Sequence, residues 1–316
     1  YQFLNTYASS GKSYQGTGLD PIRLFNPNFG WEINKKFEVA LETGFFHDRI
    51  FLTTAWYLNR SSNQLVGIPL PGTTGFSSVN ANLDATVQNS GLEFTLRTLN
   101  IDHKNFSWTT NFNIAVSKNK LISFPRLEAS TYVDNYVIGR SLNITKVFHY
   151  TGLNTQTGLY EFEDVNGDGI ITADKDRKTI ADLTPNYFGG LQNQFQFKNV
   201  QLDFLFQFVK QKTYDYIANV PGGAFYNQRA AMTSAWQSIG DNTTYQQNTT
   251  GVNSDAVTAF YNYKSSDAII VDGSYIRLKN ISLSYDLPFK MEKKIKCKLF
   301  FQGQNLLTFT PYKGGD

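Results

Sequence analysis

Apolar and polar residues alternate along this chain with a period of two. In Phe106-Ser-Trp-Thr-Thr-Asn-Phe-Asn-Ile-Ala-Val-Ser117, the residues Phe106, Trp108, Phe112, Ile114 and Val116 share one face, while Ser107, Thr109, Asn111, Asn113 and Ser117 share the other. A strand with one apolar and one wet side reads this way. Gly91–Asn100, Gly190–Lys198 and Val200–Gln211 repeat the pattern, and Phe37–Phe45, Ile50–Leu58, Tyr275–Asp286 and Ile295–Asn305 carry weaker versions. The count is about eight strands, with a partial one before Asn26.

The connections sharpen the picture. Phe46-His-Asp48, Ile101–Asn105, Lys198-Asn199 and the slightly longer Leu287–Lys294 are short and polar. They alternate with the long segments Asn59–Ser90, Lys118–Asn186 and Lys212–Ser274. Long segments of this kind are uncommon in compact domains and usually carry function. Short links at one end and long ones at the other describe an outer-membrane barrel with periplasmic turns and extracellular loops. Strands of about 9–11 residues match a tilted membrane crossing. The apolar face would then meet lipid, and the Gln, Asn and Thr rows would line a hydrated lumen, since a dry interior would charge about 1–3 kcal/mol for each unpaired amide. Trp56, Tyr57, Tyr187 and Tyr285 fall near the expected strand ends, where an aromatic girdle belongs.

Composition narrows the classes. The 316 residues are 15% aromatic and 17% charged, which excludes a disordered chain, because such chains are charge-rich and aromatic-poor. The apolar runs fall well short of the ~20 residues of a membrane helix. The single cysteine, Cys297, rules out a disulfide framework and reads as a small hydrophobe beside Ile295 and Leu299. A net charge of +3 is too small for a nucleic-acid face. Lys290-Met-Glu-Lys-Lys-Ile-Lys-Cys-Lys298, the one basic run, fits a solvated periplasmic turn. No signal peptide precedes Tyr1, and both ends of the chain read as cut, so it is expected to be a piece of something longer.

Several phrases resemble the SusC/RagA-like family of TonB-dependent outer-membrane transporters. They are Asn26-Pro-Asn-Phe-Gly-Trp-Glu32, Glu42-Thr-Gly-Phe-Phe-His-Asp-Arg-Ile50 with Tyr57, Asn89-Ser-Gly-Leu-Glu93, and Glu163-Asp-Val-Asn-Gly-Asp-Gly-Ile-Ile171. Pro185-Asn-Tyr-Phe-Gly-Gly190, the run Gly273–Pro288 and Gln304-Asn-Leu-Leu-Thr-Phe309 continue the match in order. The resemblance implies that residues 1–316 are the C-terminal part of an all-β transmembrane antiparallel barrel of about 22 strands. The N-terminal plug and the final strand would lie outside this chain. It further implies active import, energised by the TonB complex through that plug, of an oligosaccharide or a peptide captured with a SusD-like lipoprotein. The expected location is the outer membrane of a Gram-negative bacterium. A surface adhesion or glycan-binding protein with a long-stranded soluble β fold is the alternative.

Candidate chemistry sits in the long segments. Asp164-Val-Asn-Gly-Asp-Gly places Asp164, Asn166 and Asp168 at the spacing of a calcium loop, with Asp174 nearby as a fourth ligand; relative position 12, however, is Lys175. Ca²⁺ and a plain Asx turn are both open at this point. Tyr132, Tyr136, Phe225, Tyr226, Trp236, Tyr245, Tyr261 and Tyr263 are candidates for stacking on a ligand, or else for packing loop on loop or against the lid protein. Catalytic motifs are absent: there is no nucleophile elbow, metalloprotease helix, phosphate loop or dinucleotide fingerprint. His47, His103 and His149 read as solvated turn residues, so no enzyme is expected.

Overall fold

The computed structural model describes residues 6–13, 16–215, 234–288 and 297–313. Strands β1 (Tyr7–Ser13) and β2 (Thr17–Pro21) form a hairpin where a partial strand was expected. The strands β3 (Ile33–Phe45), β4 (Ile50–Pro69), β5 (Ser78–His103) and β6 (Phe106–Ser123) follow. Next come the short strands β7 (Ile144–Val147), β8 (Tyr150–Leu153) and β9 (Tyr160–Phe162), helix α1 (Ala173–Asp176) and β10 (Thr179–Asp182). Strands β11 (Tyr187–Phe197) and β12 (Val200–Lys210) lead into β13 (Lys212–Tyr214), α2 (Ser254–Tyr263) and β14 (Ile270–Asp272). The last two are β15 (Tyr275–Leu287) and β16 (Cys297–Phe309).

Among the described residues, eight strands share one sheet in the order β3-β4-β5-β6-β11-β12-β15-β16. These are the eight that the alternation marks. Register keeps the faces apart from strand to strand. One row reads Phe112, Leu191, Phe206, Leu278 and Leu307, and another reads Trp108, Phe195, Leu202, Leu283 and Phe301. On the opposite face, Thr109, Gln194, Asp203, Ser282 and Gln302 form one row, and Asn113, Gly190, Gln207, Arg277 and Thr308 another. Stacked rings bind the apolar face laterally: Trp108 on Phe195 at 5.4 Å, Phe195 on Phe204 at 6.0 Å and Phe112 on Phe208 at 6.0 Å. The weak alternation of β15 has a cause. Lys279 is an extra residue against Leu205 and Phe206, so apolar positions are even before the bulge (Ile276, Leu278) and odd after it (Ile281, Leu283).

Two glycines are fixed by rings. A Cβ on Gly91 would lie 2.6 Å from the Tyr57 hydroxyl. One on Gly189 would strike the Asn113 carbonyl oxygen and sit 2.6 Å from the Phe208 ring. In both places an aromatic from the next strand covers backbone that no other residue could leave bare.

Several expectations fail here. Asn59–Ser90 is not a loop: β4 runs to Pro69 and β5 starts at Ser78. Trp56 and Tyr57 therefore lie inside β4 rather than near its end. The sequence Asn59-Arg-Ser-Ser-Asn-Gln64 hides a strand because it is polar on both faces, so pairing continues where the binary pattern stops. The other two long segments also hold strands and helices. The link expected at Ile101–Asn105 shrinks to a turn at Lys104-Asn105, with His103 ending β5. Much of the Leu287–Lys294 link and of the basic run lies outside the described residues.

The chain divides into two units, each considered by itself. The first comprises Tyr1–Val39, Trp56–Gly91 and Lys118–Leu142. Its core is Ala85, Val87, Leu121, Phe124 and Leu127. The 26–32 phrase binds the long strands here: Asn26 Nδ2 donates to Asn80 O at 3.0 Å, and Asn82 both accepts from Gly30 N at 2.7 Å and donates to Gly30 O at 2.9 Å. The second unit comprises Ala40–Ala55, Leu92–Ser117 and Asn143–Asp316, and it holds the two-faced wall together with the later loops.

Gly189→Ala is expected to destabilise the protein by about 1–3 kcal/mol through forced displacement of the Phe208 ring and the β6 backbone. Thermal unfolding of the variant beside the parent measures it; an unchanged midpoint would contradict the ring-over-glycine contact.

Candidate functional site

In the second unit the two long loops fold onto each other. Phe148 N donates to Ser265 O at 2.9 Å and Asp267 N donates to Phe148 O at 2.9 Å. The Asp267 carboxylate pairs with His149 Nδ1 at 2.6 Å and accepts from Tyr150 N at 2.9 Å. A knot of rings lies alongside: Tyr263 stacks on Tyr160 at 4.2 Å and meets Tyr150 edge-on at 5.2 Å. Gln246, 4% exposed, accepts from Tyr160 N at 3.4 Å and donates to Ala256 O at 2.6 Å, tying α2 to β9. Burial pushes the Tyr263 phenol up to about 12 and Tyr160 higher still, so both hydroxyls stay protonated at any physiological pH. Sequence reasoning passed over Asp267 and Gln246, because neither belongs to a motif and each acts across roughly a hundred residues.

This arrangement sorts the candidate ligand aromatics. Tyr132 and Tyr136 stack on each other at 6.0 Å and pack against the core of the first unit, with Tyr132 against Phe124 at 5.8 Å. Trp236 donates from Nε1 to Thr155 O at 3.1 Å and covers Gly158, where a Cβ would strike the indole. Tyr245 accepts from Trp236 N at 3.0 Å through its carbonyl, and Tyr263 belongs to the ring knot. Tyr261, on α2, is 50% exposed and edges Phe260 at 5.9 Å. Phe225 and Tyr226 lie outside the described residues. Packing within the protein thus engages the rings of Tyr132, Tyr136, Trp236 and Tyr263, four of the six described candidates.

The acidic motif folds as a closed turn. Asp164 accepts from Gly167 N at 2.8 Å and Gly169 N at 2.6 Å, and Asn166 Nδ2 donates to Asp168 at 2.8 Å. Lys175 takes Asp168 at 2.7 Å, and this bond draws the Asp168 carboxyl down to about 2. Where a calcium loop needs a bidentate acid, this loop supplies a cation. Among the described residues no three His, Cys, Asp or Glu side chains gather as a metal would require. Asp174 offers its backbone carbonyl to Lys178. As folded, the motif's side chains bond to one another, to the turn backbone and to Lys175. The organising acid is instead Asp176, 1% exposed, which accepts from Val165 N at 2.9 Å and Thr172 N at 2.7 Å.

The amide-rich wall face carries hydrogen-bonding groups in register. Gln192 donates to Asp203 at 2.8 Å and Arg277 to Thr308 at 2.9 Å, and the remaining Gln, Asn and Thr rows offer donors and acceptors in register.

Residues 1–306 match the family model described as the TonB dependent receptor-like β-barrel. The chain belongs to this family. It is 30% identical to TonB-dependent receptor P3 of Formosa agariphila over the whole of this chain and 33% of that protein. It is 24% identical to TonB-dependent receptor SusC of Bacteroides thetaiotaomicron, again over the whole chain and 32% of the relative. The chain thus spans about a third of the length of the curated relatives it matches. A chain in a structure of the RagAB peptide transporter superposes with a TM-score of 0.76 at 20% identity, over 99% of this chain and 36% of that one, and so shows the same fold. The eight-stranded sheet is therefore part of a TonB-dependent receptor barrel in the outer membrane of a Gram-negative bacterium, and the family is one of receptors, not enzymes. Its ring-bearing face meets lipid, and its amide face looks inward.

Two outcomes follow from these geometries. Asp267 raises the His149 pKa above the usual value of about 6.5, chiefly through their hydrogen bond. The pair therefore stabilises the loops fully below that value and stops doing so as pH rises through the higher folded one. Limited proteolysis at rising pH should cut these loops faster in the parent, whereas a His149→Ala variant should show no such trend. For the wall, Phe112→Arg should cost about 2–4 kcal/mol near the bilayer midplane, and Asn111→Arg far less. Equal losses in denaturant titrations of bilayer-folded protein would refute the face assignment.

Proposed function

We propose that this chain forms the C-terminal wall and extracellular loops of an importer, which takes up an oligosaccharide with a SusD-like lipoprotein and draws its energy from the TonB complex. The carrying observation is the division of the sheet into a ring-rich face and an amide-rich face. Rows such as Thr109, Gln194, Asp203, Ser282 and Gln302 can hydrogen-bond a hydroxyl-rich cargo along a wet path, while the ring rows hold the wall in lipid. In this proposal TonB acts through an N-terminal plug outside the third of the relatives' length that this chain spans. Tyr261 is half exposed, with the Lys264 ammonium 6.0 Å over its ring, and Phe225 and Tyr226 complete the proposed contact set.

A peptide cargo is the second reading, favoured by the likeness to the RagAB peptide transporter. Amide rows serve a peptide backbone as well as sugar hydroxyls.

A strain lacking the receptor decides between them. It should lose growth on particular oligosaccharides supplied as sole carbon source, and loss of TonB should reproduce that phenotype. Loss confined to peptides would select the second reading. Normal growth of both strains on every sugar and peptide tested would defeat the import proposal.

A further inference from the structure

At the short-turn end of β4 and β5 a cleft of about 380 Å³ opens between Phe46, Arg49, Ile50, Thr98, Leu99 and Asn100. Its floor is built by an unusual turn. Phe46, His47 and Asp48 all take left-handed backbone angles, φ 57°, 55° and 61°, which holds the Phe46 ring out at 74% exposure on the lip of the cleft. Arg49 follows. Its Nε donates to Leu99 O at 3.3 Å and its Nη2 to Asn100 O at 3.2 Å, so the guanidinium plane is fixed. A guanidinium has five N–H donors, and two are spent on these carbonyls. Among the described residues no carboxylate forms an ion pair with it.

A second observation lies just inside the cleft. A polar chain climbs a face that is otherwise apolar: Thr98 Oγ1 donates to Asn100 Oδ1 at 2.9 Å, Asn100 Nδ2 to Thr110 Oγ1 at 2.7 Å, and Thr110 Oγ1 to Asn193 Oδ1 at 2.7 Å. Trp108 Nε1 adds a further bond to the same Asn193 oxygen at 2.9 Å. Asn193 is 9% exposed and shares its row with Phe204 and Ile281, yet its amide N–H₂ donates to no acceptor among the described residues. Donors on a lipid-facing surface cost several kcal/mol unless something accepts from them. Asn193 stands four residues in from the end of β11. That is about 13 Å along the strand, or about 9 Å along the membrane normal at a tilt near 45°. Headgroups take up about 5–8 Å on each side of the hydrocarbon core, so from a strand end level with the headgroup surface Asn193 reaches the boundary where ester carbonyls lie, with the phosphate nearer the turn.

We propose that the cleft binds one phospholipid of the inner leaflet, its phosphate on Arg49 and its ester carbonyls against the Asn100–Thr110–Asn193 chain. One acyl chain then runs deeper along Phe112 and Leu191, the apolar pair that follows Thr110 and Asn193 away from the turn. The phosphate supplies the anion that Arg49 lacks, and a carbonyl supplies the acceptor that Asn193 lacks. The proposal rests on the lipid-facing side of the wall and is independent of the cargo.

Native mass spectrometry of the whole receptor, purified in mild detergent and titrated with phosphatidylglycerol, tests it. The parent should retain one lipid per protein. Arg49→Ala should weaken retention about tenfold, the loss expected for one charge-assisted contact. Arg49→Lys should recover part of it, and Asn193→Leu should weaken it without disturbing the Arg49 turn. Arg97→Ala, on the opposite face, should change nothing, and resistance of each variant to unfolding in sample buffer confirms its fold. Undiminished retention in Arg49→Ala would overturn the proposal. So would equal loss in Arg97→Ala, or displacement of the lipid by inorganic phosphate at matched concentration, which would mark a simple anion site.

Discussion

Hydrocarbon gives a peptide group nothing to bond to, and most of this chain answers that deprivation. Every N–H and C=O that enters the bilayer must be met by a neighbouring strand, so the ladder cannot stop where the side chains become awkward. It bends around Lys279 with a bulge instead of breaking, and the pairing on either side resumes with the apolar row intact. It crosses Gly189 under the Phe208 ring, where bare backbone would otherwise face lipid. The same demand leaves an obligation at the two margins: β3 and β16 each present one edge without a partner strand among the described residues. In a membrane such edges need further strands.

Outside the bilayer water relieves the demand, and the chain changes its grammar. The loops of the second unit fold like a small soluble domain, with short strand pairs, a capped helix and a ring cluster closed over Ser266 and Ala256, both fully buried. Asp267 is the hinge of this arrangement because one carboxylate satisfies a side chain and a backbone donor of the other loop at once. Aromatic residues thus serve two purposes in one sequence. In the wall they are a solvent-matching surface, and in the loops they are a core.

That double use explains what could be read from the sequence and what could not. The wall strands were legible because lipid on one side and water on the other impose a period of two. The family phrases were legible because they sit where backbone geometry is demanding: the left-handed Phe46-His-Asp48 turn, Gly91 beneath Tyr57, and the Asn26–Glu32 segment that bonds across to Asn80 and Asn82. The outer half of β4 was not, since Asn59–Gln64 is polar on both faces, and that of β5 alternates with its apolar face turned to a local core of Leu121 and Phe124. Nor were the roles of Tyr132, Tyr136 and Tyr263, because an aromatic poised for a ligand and one packed in a loop core look alike without their neighbours. The Asp164 motif is ambiguous for a related reason. Its spacing is shared by metal loops and self-bonded turns, and the difference rests on Lys175 and on the buried Asp176, which no spacing rule weighs.

The two faces of the wall also differ in how much polar disorder they tolerate. On the inward face, Gln194, Gln196 and Gln201 can each find water, so their amides need no fixed protein partner, and one cross-strand bond such as Gln192 to Asp203 is a convenience. On the lipid face a lone amide has no such recourse. The polar residues there form a linked series, Thr98 to Asn100 to Thr110 to Asn193, with the Trp108 indole closing its inner end. A hydrophilic side chain among hydrocarbon must therefore be bonded into a network or reach toward the headgroups. This series does both, running from the middle of the ring rows to the rim at Arg49. The exception obeys the same constraint as the rule, because lipid forbids an unmet donor whether it sits on the backbone or on a side chain.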